Sequence, residues 1–370
     1  MAEETKRKKI SDTLIAEIGA GKFTGRFPSE RTLVRRFAAA RETVRAALRD
    51  LEAMRLIRRR VGRGTTVTPT GVRRRSFAIL LGNGYNVNAF YGAMRSGVES
   101  ALSKRECSLF AVSSFGQKES ERMAYAKEFT RMCICERMSG VFMQPLHFLR
   151  NGERANRAIL AALDEAKIPV VLIDSDFVQP PRRSGYDLVG TDNLRIGYDL
   201  ARHMIDAGAK RIVYVSEPRP APTSMLRGMG VGVAVSEAGL KWRKEDMVFM
   251  RSTEMRAAVR RLFADKNRPD AIIACHDYIG VELLEELRKE GLNVPGDVLL
   301  AGVNGNHVSA ECDPPLTTFV LPCEEIGSAA VELMLSRIEN PSLPPREVML
   351  ASRFVVRAST TPFVKKGQQQ

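Results

Sequence analysis

Three arginines recur at four-residue intervals in one predicted helix, and their guanidinium groups can bind phosphates and the edges of guanine bases. The helix, over about residues 41–54, carries two stripes roughly 90° apart at 100° per residue: Arg41, Arg45 and Arg49, and Val44, Leu48 and Leu51. A planar guanidinium offers paired donors that match a phosphate or the acceptor edge of guanine. The apolar stripe is therefore expected to pack inward, which leaves the arginine stripe to face a nucleic acid.

The positive charge of the chain is concentrated around this helix. The 370 residues carry a formal net charge of +14. Residues 1–75 contain 20 Lys and Arg against 8 Asp and Glu, whereas the remainder contains 37 against 35. A basic module on a near-neutral body is typical of nucleic-acid binders, because phosphate neutralisation supplies most of their sequence-independent affinity. The alternatives are a solvated basic tail, which the ordered pattern of the segment disfavours, and a basic protein-interaction module.

Two further helices and a hairpin are predicted to position the arginine helix. Apolar spacing predicts a first helix over about residues 9–20 and a second that Ser29 caps. Residues 57–67 predict two strands joined by a glycine-permitted turn, with Arg63 at its tip. This order of elements predicts a winged helix-turn-helix.

The body alternates apolar, strand-like segments with helical ones. Roughly ten strands are predicted between Phe77 and Leu321, and helices separate most of them. This rhythm predicts parallel sheets with right-handed crossovers, and the number of strands fits two sheets better than one. We therefore expect an α/β fold, in which a winged helix-turn-helix precedes a two-lobed domain with two parallel sheets. Ligands in such folds bind beyond the carboxyl ends of the strands, here in the crevice between the lobes.

These patterns give the expected domain boundaries. They are a helix-turn-helix module over 1–69, a breaker-rich basic linker over 70–75, an effector-binding and dimerisation domain over 76–361, and a tail over 362–370. The first lobe is expected at about 76–177 and 320–340, and the second at about 178–318 and 342–361.

A run of short motifs links the second helix to the wing. The segment FPSERTLVRRFAAARETVRAALRDLEAMRLIRRRVGRGTTV is similar to PSER-x-LA, SR-x-TVR-x-AL, GLI and G-x-GT-x-V, so the module resembles the GntR family of regulators. The resemblance implies two sets of DNA contacts: Arg31, Arg41, Thr43 and Arg45 in the major groove, and Gly62, Arg63 and Gly64 along the minor groove or backbone. The sequence departs from the pattern at Ala40, where the family usually has Ser or Thr, and at Arg55, where it has Gly. Because Ala40 removes a cap and a phosphate contact, affinity is expected to depend more on arginine.

The body contains a second ordered set of motifs. They are NAFYGAMRSGVE, SGVFMQP, IPVVLID, DAIIACHD, VPGDVLLAGVNG and PPLTT. In sequence and order they resemble the effector domain of the LacI family, which is itself similar to periplasmic sugar-binding proteins. The resemblance implies a two-lobed, periplasmic-binding-protein-like fold with a small effector, expected to be a carbohydrate, between the lobes.

The resemblance also implies which residues contact the effector. They are Phe90, Tyr91, Asp174, Arg227, His276, Asp277 and Asn304. Arg227 is the strongest candidate, since one guanidinium can hold two hydroxyl oxygens or a carboxylate. Phe90 and Tyr91 have an alternative role as core residues at a helix start. His276 replaces the usual Asn and Asn304 the usual Asp, which leaves open a ligand other than a neutral hexose.

The sequence favours neither an enzyme nor a metalloprotein. G-x-S-x-G and Walker motifs are missing, and the glycines of residues 228–232 imitate a Gly-rich loop without directly following a strand. The six cysteines and four histidines are dispersed, so we expect reduced thiols, no metal site and no cofactor. Cys133 and Cys135 are expected to point apart. Neither a signal peptide nor an apolar run of about 18 residues is found, which predicts a cytoplasmic protein without membrane contact.

Together these features predict a regulator, expected to be a repressor, that binds double-stranded operator DNA. One recognition helix per chain predicts a homodimer on a pseudo-palindrome. The alternatives are a solute-binding receptor without DNA function, and an activator or corepressor-dependent regulator with a non-sugar ligand.

Overall fold

The protein forms two compact units, Met1–Arg75 and Ser76–Gln370. The computed structural model describes residues 2–19, 22–23, 27–54, 56–60, 64–67, 75–82, 88–111, 118–264 and 268–361. Most of the predicted linker and the tail at 362–370 lie outside these ranges, as does Arg55. Within them, no helix combines the length and the apolar character that a membrane crossing requires.

The first unit contains three helices and a two-stranded hairpin. The elements are α1 (Ala2–Gly19), α2 (Glu30–Phe37), α3 (Arg41–Ala53), β1 (Ile57–Arg60) and β2 (Gly64–Val67). The strands pair antiparallel, with Ile57 opposite Val67. This arrangement confirms the predicted winged helix-turn-helix. The first helix begins well before the predicted start at residue 9, because polar contacts such as Arg7 Nε to Asp50 Oδ2 at 2.8 Å hold its first turns.

The capping of α2 and α3 differs as their sequences predict. The Ser29 hydroxyl accepts a hydrogen bond from Thr32 N at 3.2 Å and caps α2. Ala40 begins α3 without a side-chain cap. Leu33 of α2 and Leu48 of α3 are fully buried, so the apolar stripes pack inward and the arginine side of α3 is left at the surface.

The second unit has two lobes, each built on a six-stranded sheet in the described residues. The elements of lobe 1 are β3 (Ser76–Leu80), α4 (Asn88–Ser103), β4 (Ser108–Ala111), α5 (Glu119–Cys135), β5 (Gly140–Met143), α6 (Gly152–Glu165), β6 (Val170–Asp174), β7 (Asp187–Thr191), α12 (Cys323–Glu339) and β13 (Glu347–Leu350). Those of lobe 2 are α7 (Asn193–Asp206), β8 (Ile212–Ser216), α8 (Pro222–Glu237), β9 (Met247–Phe249), α9 (Met255–Ala264), β10 (Ala271–Ala274), α10 (Asp277–Lys289), β11 (Leu299–Asn304), α11 (Val308–Glu311), β12 (Thr317–Val320) and β14 (Arg353–Val355).

The sheet orders confirm the predicted two-lobed α/β fold. Lobe 1 has the order β13-β7-β6-β5-β3-β4, and every pair is parallel. Lobe 2 has the order β14-β12-β11-β10-β8-β9, with β14 antiparallel to β12 at one edge. Parallel strands bring their carboxyl ends to one edge of each sheet, which positions the polar residues that follow them.

The expected lobe boundaries need correction at two strands. The sequence predicts strand β7 in lobe 2, but it pairs with β6 of lobe 1, with Val171 opposite Asp187. The sequence also predicts strand β13 in lobe 2, but it extends the lobe 1 sheet beyond β7. The alternation of strands and helices in the sequence indicates where a strand occurs. Which of the two sheets the strand joins depends on pairing with segments that are distant in sequence. The first crossing between lobes therefore follows Thr191.

Two close helix crossings depend on glycine. A Cβ at Gly197 of α7 would overlap the Arg227 carbonyl oxygen of α8, and one at Gly230 of α8 would overlap the Leu194 carbonyl oxygen. Helices α4 and α12 cross in the same way through Gly97 and Gly327. The α7–α8 crossing fixes the backbone of Arg227, one of the predicted effector residues.

Replacing Gly197 with alanine is expected to lower the free energy of unfolding by about 1–3 kcal/mol, because backbone lies where the methyl group would go. Chemical denaturation of the full chain measures this change. Gly92→Ala is the matched control, since it lies on α4 with nothing within 4 Å of its added Cβ. Equal stability of the two variants would contradict the close crossing.

Candidate functional site

A carboxylate at the start of α2 joins three arginines on the surface of the first unit. Glu30 contacts Arg41 Nε at 3.4 Å and Arg45 Nε at 3.1 Å, and it also accepts a hydrogen bond from Arg59 Nη2 of β1. Burial alone would raise the pKa of Glu30, but its arginine partners lower it, so the group is a carboxylate at neutral pH. The start of the arginine helix and the wing are thereby linked through one anion. Sequence reasoning missed this role, although Glu30 is the E of the PSER motif.

The predicted DNA-contacting residues differ in their exposure. Arg31 and Arg41 are exposed and Arg45 is half-buried. Thr43 is only 7% exposed, so its side chain packs mainly within the module. Gly64 begins β2 with φ 85°, a left-handed conformation that glycine adopts without strain. Gly62 and Arg63 lie outside the described residues.

Replacing Glu30 with glutamine is expected to raise affinity for scrambled DNA and to lower the ratio of operator to scrambled affinity by roughly tenfold, a loss of about 1.4 kcal/mol. The change removes a negative charge from a basic surface, and it also releases Arg45 and Arg59 from their shared acceptor. Fluorescence anisotropy with both DNAs measures the ratio. Glu42→Gln is the matched control, because Glu42 contacts only Arg45 among the three arginines, at 3.1 Å. An unchanged ratio for Glu30→Gln would contradict its role as an anchor.

On lobe 1, three polar side chains meet where strands end. Gln144 follows β5, and its Nε2 donates to the Tyr91 hydroxyl of α4 and lies 3.4 Å from Asp174 Oδ2 at the end of β6. The other end of the amide, Oε1, accepts from Gly82 N at 2.9 Å. Gln144 therefore orients the phenol and the carboxylate together. Sequence reasoning identified Tyr91 and Asp174 but missed Gln144, which follows an apolar strand and precedes Pro145.

Asp174 has an unusual environment and backbone. Burial raises the pKa of its carboxyl group to about 6, against the opposing effects of the Arg227 charge and the Gln144 hydrogen bond. Its φ is 71°, and Asn304 at the end of β11 in lobe 2 has φ 107°. Non-glycine residues rarely adopt this region, and such conformations occur frequently at binding sites. Asp174 and Asn304 therefore end their strands with a backbone conformation that regular strands do not have.

On lobe 2, Arg227 is buried and held by two hydrogen bonds. Its Nε donates to Asn193 Oδ1 at 2.8 Å and its Nη1 donates to the Cys275 carbonyl oxygen at 2.6 Å. Among the described residues, Nη2 has no hydrogen-bond partner. The guanidinium charge lowers the pKa of Asp174 across the lobes, which places the two groups within electrostatic reach. One face of the arginine is thereby fixed and the other remains available to a ligand.

The structure favours structural roles for two of the predicted effector residues. Asp277 is fully buried, and its oxygens accept from Thr318 Oγ1 at 2.6 Å and from Asn306 N at 2.7 Å. These two hydrogen bonds hold the loop after β11. Phe90 is 8% exposed and packs in the main apolar cluster, which agrees with its alternative role in the core.

Two further polar residues are His276, which follows β10 of lobe 2, and Arg122 on α5 of lobe 1. His276 caps α10, with its Nδ1 accepting from Ile279 N at 3.3 Å. On lobe 1, Arg122 of α5 donates from Nη2 to the His147 carbonyl oxygen at 2.9 Å, while its Nε is buried without a partner among the described residues. The charge of Arg122 acts on Tyr91, so it is a further polar group beside the lobe 1 cluster. No family motif marked it in the sequence.

Comparison with known proteins agrees with this geometry. A family model described as bacterial regulatory proteins, gntR family, matches residues 6–67, and a model described as a periplasmic binding protein-like domain matches residues 201–360. The chain joins a gntR-family module to a periplasmic binding protein-like domain. The gntR-family module is the first compact unit, and the binding-protein-like domain lies in the second.

Relatives and a solved structure extend the similarity beyond these ranges. The transcriptional regulator CelR of Thermobifida fusca is 26% identical over 325 residues, which are 87% of this chain and 89% of CelR. The transcriptional repressor PurR of Aliivibrio salmonicida is 26% identical over 276 residues, 74% of this chain and 78% of PurR. A CelR–cellobiose complex has a TM-score of 0.66 and 23% identity, covering 87% of this chain and 91% of that chain. This structural likeness supports the two-lobed fold of the binding-protein-like domain.

Proposed function

We propose that this chain is a transcription repressor whose affinity for operator DNA is set by a small polyhydroxylated ligand held between the two lobes. The observation that carries the proposal is the convergence of Tyr91 on α4, Asp174 at the end of β6 and Arg227 on α8, in a chain that also carries a gntR-family module. The names of the relatives support regulation of transcription, and the cellobiose of one similar structure supports a carbohydrate.

The two sides of the crevice offer complementary groups to a sugar. Asp174 supplies acceptor oxygens for hydroxyl groups, and Arg227 Nη2 supplies a donor whose guanidinium is already oriented by Asn193 and Cys275. Tyr91 presents an aromatic face and a phenol, and burial raises the pKa of that phenol so that it stays protonated. Because hydrogen bonds already hold these side chains, ligand binding costs little side-chain entropy.

The gntR-family module would read the operator through α3 and the wing. Arg41 and Arg45 lie at the start of α3, where side chains reach base edges, while Arg31 and the wing would contact the backbone. We infer that two chains act together, since one module reads a single half-site and a two-fold pair matches a pseudo-palindrome. A DNA-binding repressor acts where the operator is, which supports action in the cytoplasm.

Closure of the lobes on the ligand would change the spacing of the paired modules. A ligand shifts such an equilibrium only through its different affinity for the two arrangements, typically a coupling of 1–3 kcal/mol. The crossings after Thr191, between β12 and α12, and between β13 and β14 are the segments that such a motion would bend.

A thermal-shift screen tests the proposal. Sugars, sugar acids and nucleobases are added to the full chain, and a ligand at 100 times its Kd should stabilise the protein by about 2.7 kcal/mol. A carbohydrate that stabilises the wild type but not Asp174→Asn supports the crevice site. Stabilisation by a nucleobase alone would contradict the carbohydrate assignment, and equal stabilisation of Asp174→Asn would contradict the site.

Affinity for a neutral sugar is expected to fall about tenfold between pH 7 and pH 5. The pKa of Asp174 is raised to about 6, so the carboxylate present at pH 7 is largely protonated at pH 5 and loses acceptor capacity. Isothermal titration calorimetry at both pH values measures the change, and Asp174→Asn should bind weakly with no such dependence. An unchanged affinity of the wild type would show that Asp174 does not accept from the ligand.

A further inference from the structure

Three side chains with metal-binding atoms meet at the crevice end of lobe 2. Glu217 directly follows β8, and Cys275 and His276 directly follow β10. The two strands are parallel neighbours, with Val215 opposite Ala274, so their ends bring the three residues together. The carboxylate oxygen, the thiol sulfur and the imidazole nitrogen all lie within 4.8 Å of one another.

The spacing and burial of the three groups suit a tetrahedral ion. His276 Nε2 and Glu217 Oε2 are 3.7 Å apart, close to the roughly 3.3–3.6 Å that separates a nitrogen and an oxygen ligand of a tetrahedral zinc with bonds of about 2.0–2.2 Å. Cys275 is fully buried behind them, while the side chains of His276 and Glu217 are 25% and 36% exposed. An ion entering from the crevice would meet the carboxylate and imidazole first and the sulfur last.

The proposed effector role does not use the sulfur of Cys275 or the carboxylate of Glu217. Arg227 binds the carbonyl oxygen of Cys275 and not its sulfur, which lies beside Ser216 and Glu217. Sulfur, imidazole and carboxylate are the ligands that zinc takes in proteins, and a set of three leaves the fourth position of a tetrahedral ion open, unlike a closed structural site. We propose that Glu217, Cys275 and His276 form a site for Zn²⁺ at the lobe 2 edge of the crevice. The sequence predicts no metal site, because Glu217 is distant in sequence from the adjacent Cys275 and His276.

Binding of the ion requires two proton movements. The Cys275 thiol must lose its proton to solvent, since the thiolate is the metal ligand. His276 Nδ1 accepts from Ile279 N, so the proton of the neutral ring lies on Nε2, and coordination through Nε2 moves it to Nδ1. Nδ1 can then no longer cap α10, and the first turn of that helix must readjust. Occupancy of the metal site would thus alter the end of lobe 2 that faces the effector.

Titration of the chelator-treated full chain with Co²⁺, followed by displacement with Zn²⁺, tests the proposal without any effector. We expect one ion per chain, a thiolate-to-cobalt charge-transfer absorption, and loss of that absorption when Zn²⁺ is added. Cys275→Ser should abolish the absorption, and His276→Asn and Glu217→Gln should each weaken Zn²⁺ affinity by at least roughly tenfold. Asparagine can still cap α10, so His276→Asn removes the ligand while it preserves the fold.

Cys133→Ser is the matched control, because Cys133 is a fully buried thiol on α5 of lobe 1. It should leave both the absorption and the Zn²⁺ affinity unchanged. A thiolate absorption that persists in Cys275→Ser would place the ion elsewhere and overturn the proposal, as would wild-type Zn²⁺ affinity in both His276→Asn and Glu217→Gln. Because the probe is the metal alone, these outcomes are independent of whether a carbohydrate binds the crevice.

Discussion

Replacing Arg45 with alanine should lower operator affinity by about 5- to 150-fold, the range expected for one bidentate base contact of 1–3 kcal/mol. The loss should be much smaller on scrambled DNA. Arg45 lies near the start of α3 and is held by Glu30 at 3.1 Å, so its guanidinium is oriented before DNA arrives. Anisotropy titrations on operator and scrambled duplexes measure both affinities.

Arg58 of β1 provides the control for this prediction. Arg58 is exposed on the wing, so alanine there should weaken binding to both DNAs by a similar factor and flatten the salt dependence by about one unit of slope. Arg59, the next residue, contacts Glu30 and is expected to behave more like Arg45. If Arg45→Ala lowers affinity for operator and scrambled DNA equally, α3 does not read bases at that position.

Replacing Arg227 with alanine should lower affinity for the effector by about 100-fold or more, with little change in effector-free operator binding. The change removes a guanidinium that two hydrogen bonds already hold in place and that we propose donates to the ligand. It also leaves Asn193 Oδ1 and the Cys275 carbonyl oxygen without this donor. Calorimetry with the identified ligand and anisotropy with operator DNA measure the two properties separately.

Arg202→Ala is the matched control for this variant, because Arg202 is a surface residue of α7 in the same lobe and pairs only loosely with Asp206 at 3.5 Å. It should bind effector and operator as the wild type does. Loss of operator binding in Arg227→Ala together with normal effector binding would show that Arg227 supports the DNA-binding state rather than the ligand.

The gntR-family module was predictable from sequence because its signals are local. Helical stripes, the Ser29 cap and the glycine-bounded turn each determine structure within a few residues. The roles of Glu30 and Thr43 were not predictable, since they depend on how α2, α3 and the wing pack together. In the sequence, Glu30 looks like any acidic residue at the start of a helix. Only the folded structure brings three arginines into contact with its carboxylate.

The binding-protein-like domain shows the same division between local and distant information. The alternation of apolar and helical segments predicts the strands and crossovers, and the structure adds that the charge of Arg227 on α8 acts on Asp174 at the end of β6. The hydrogen bonds of Asp277 could not be predicted, because they come from Thr318 and Asn306, far along the chain. The role of Gln144 could not be predicted either, because an amide residue after an apolar strand has no distinctive sequence pattern.

The most direct test of the account is the affinity of the full chain for operator DNA with and without saturating effector. For a repressor controlled by the crevice ligand, operator affinity should change by about 5- to 150-fold, which corresponds to a coupling of 1–3 kcal/mol, and the change should disappear in Arg227→Ala. Equal operator affinity of the wild type at zero and saturating effector would contradict control of DNA binding by this site.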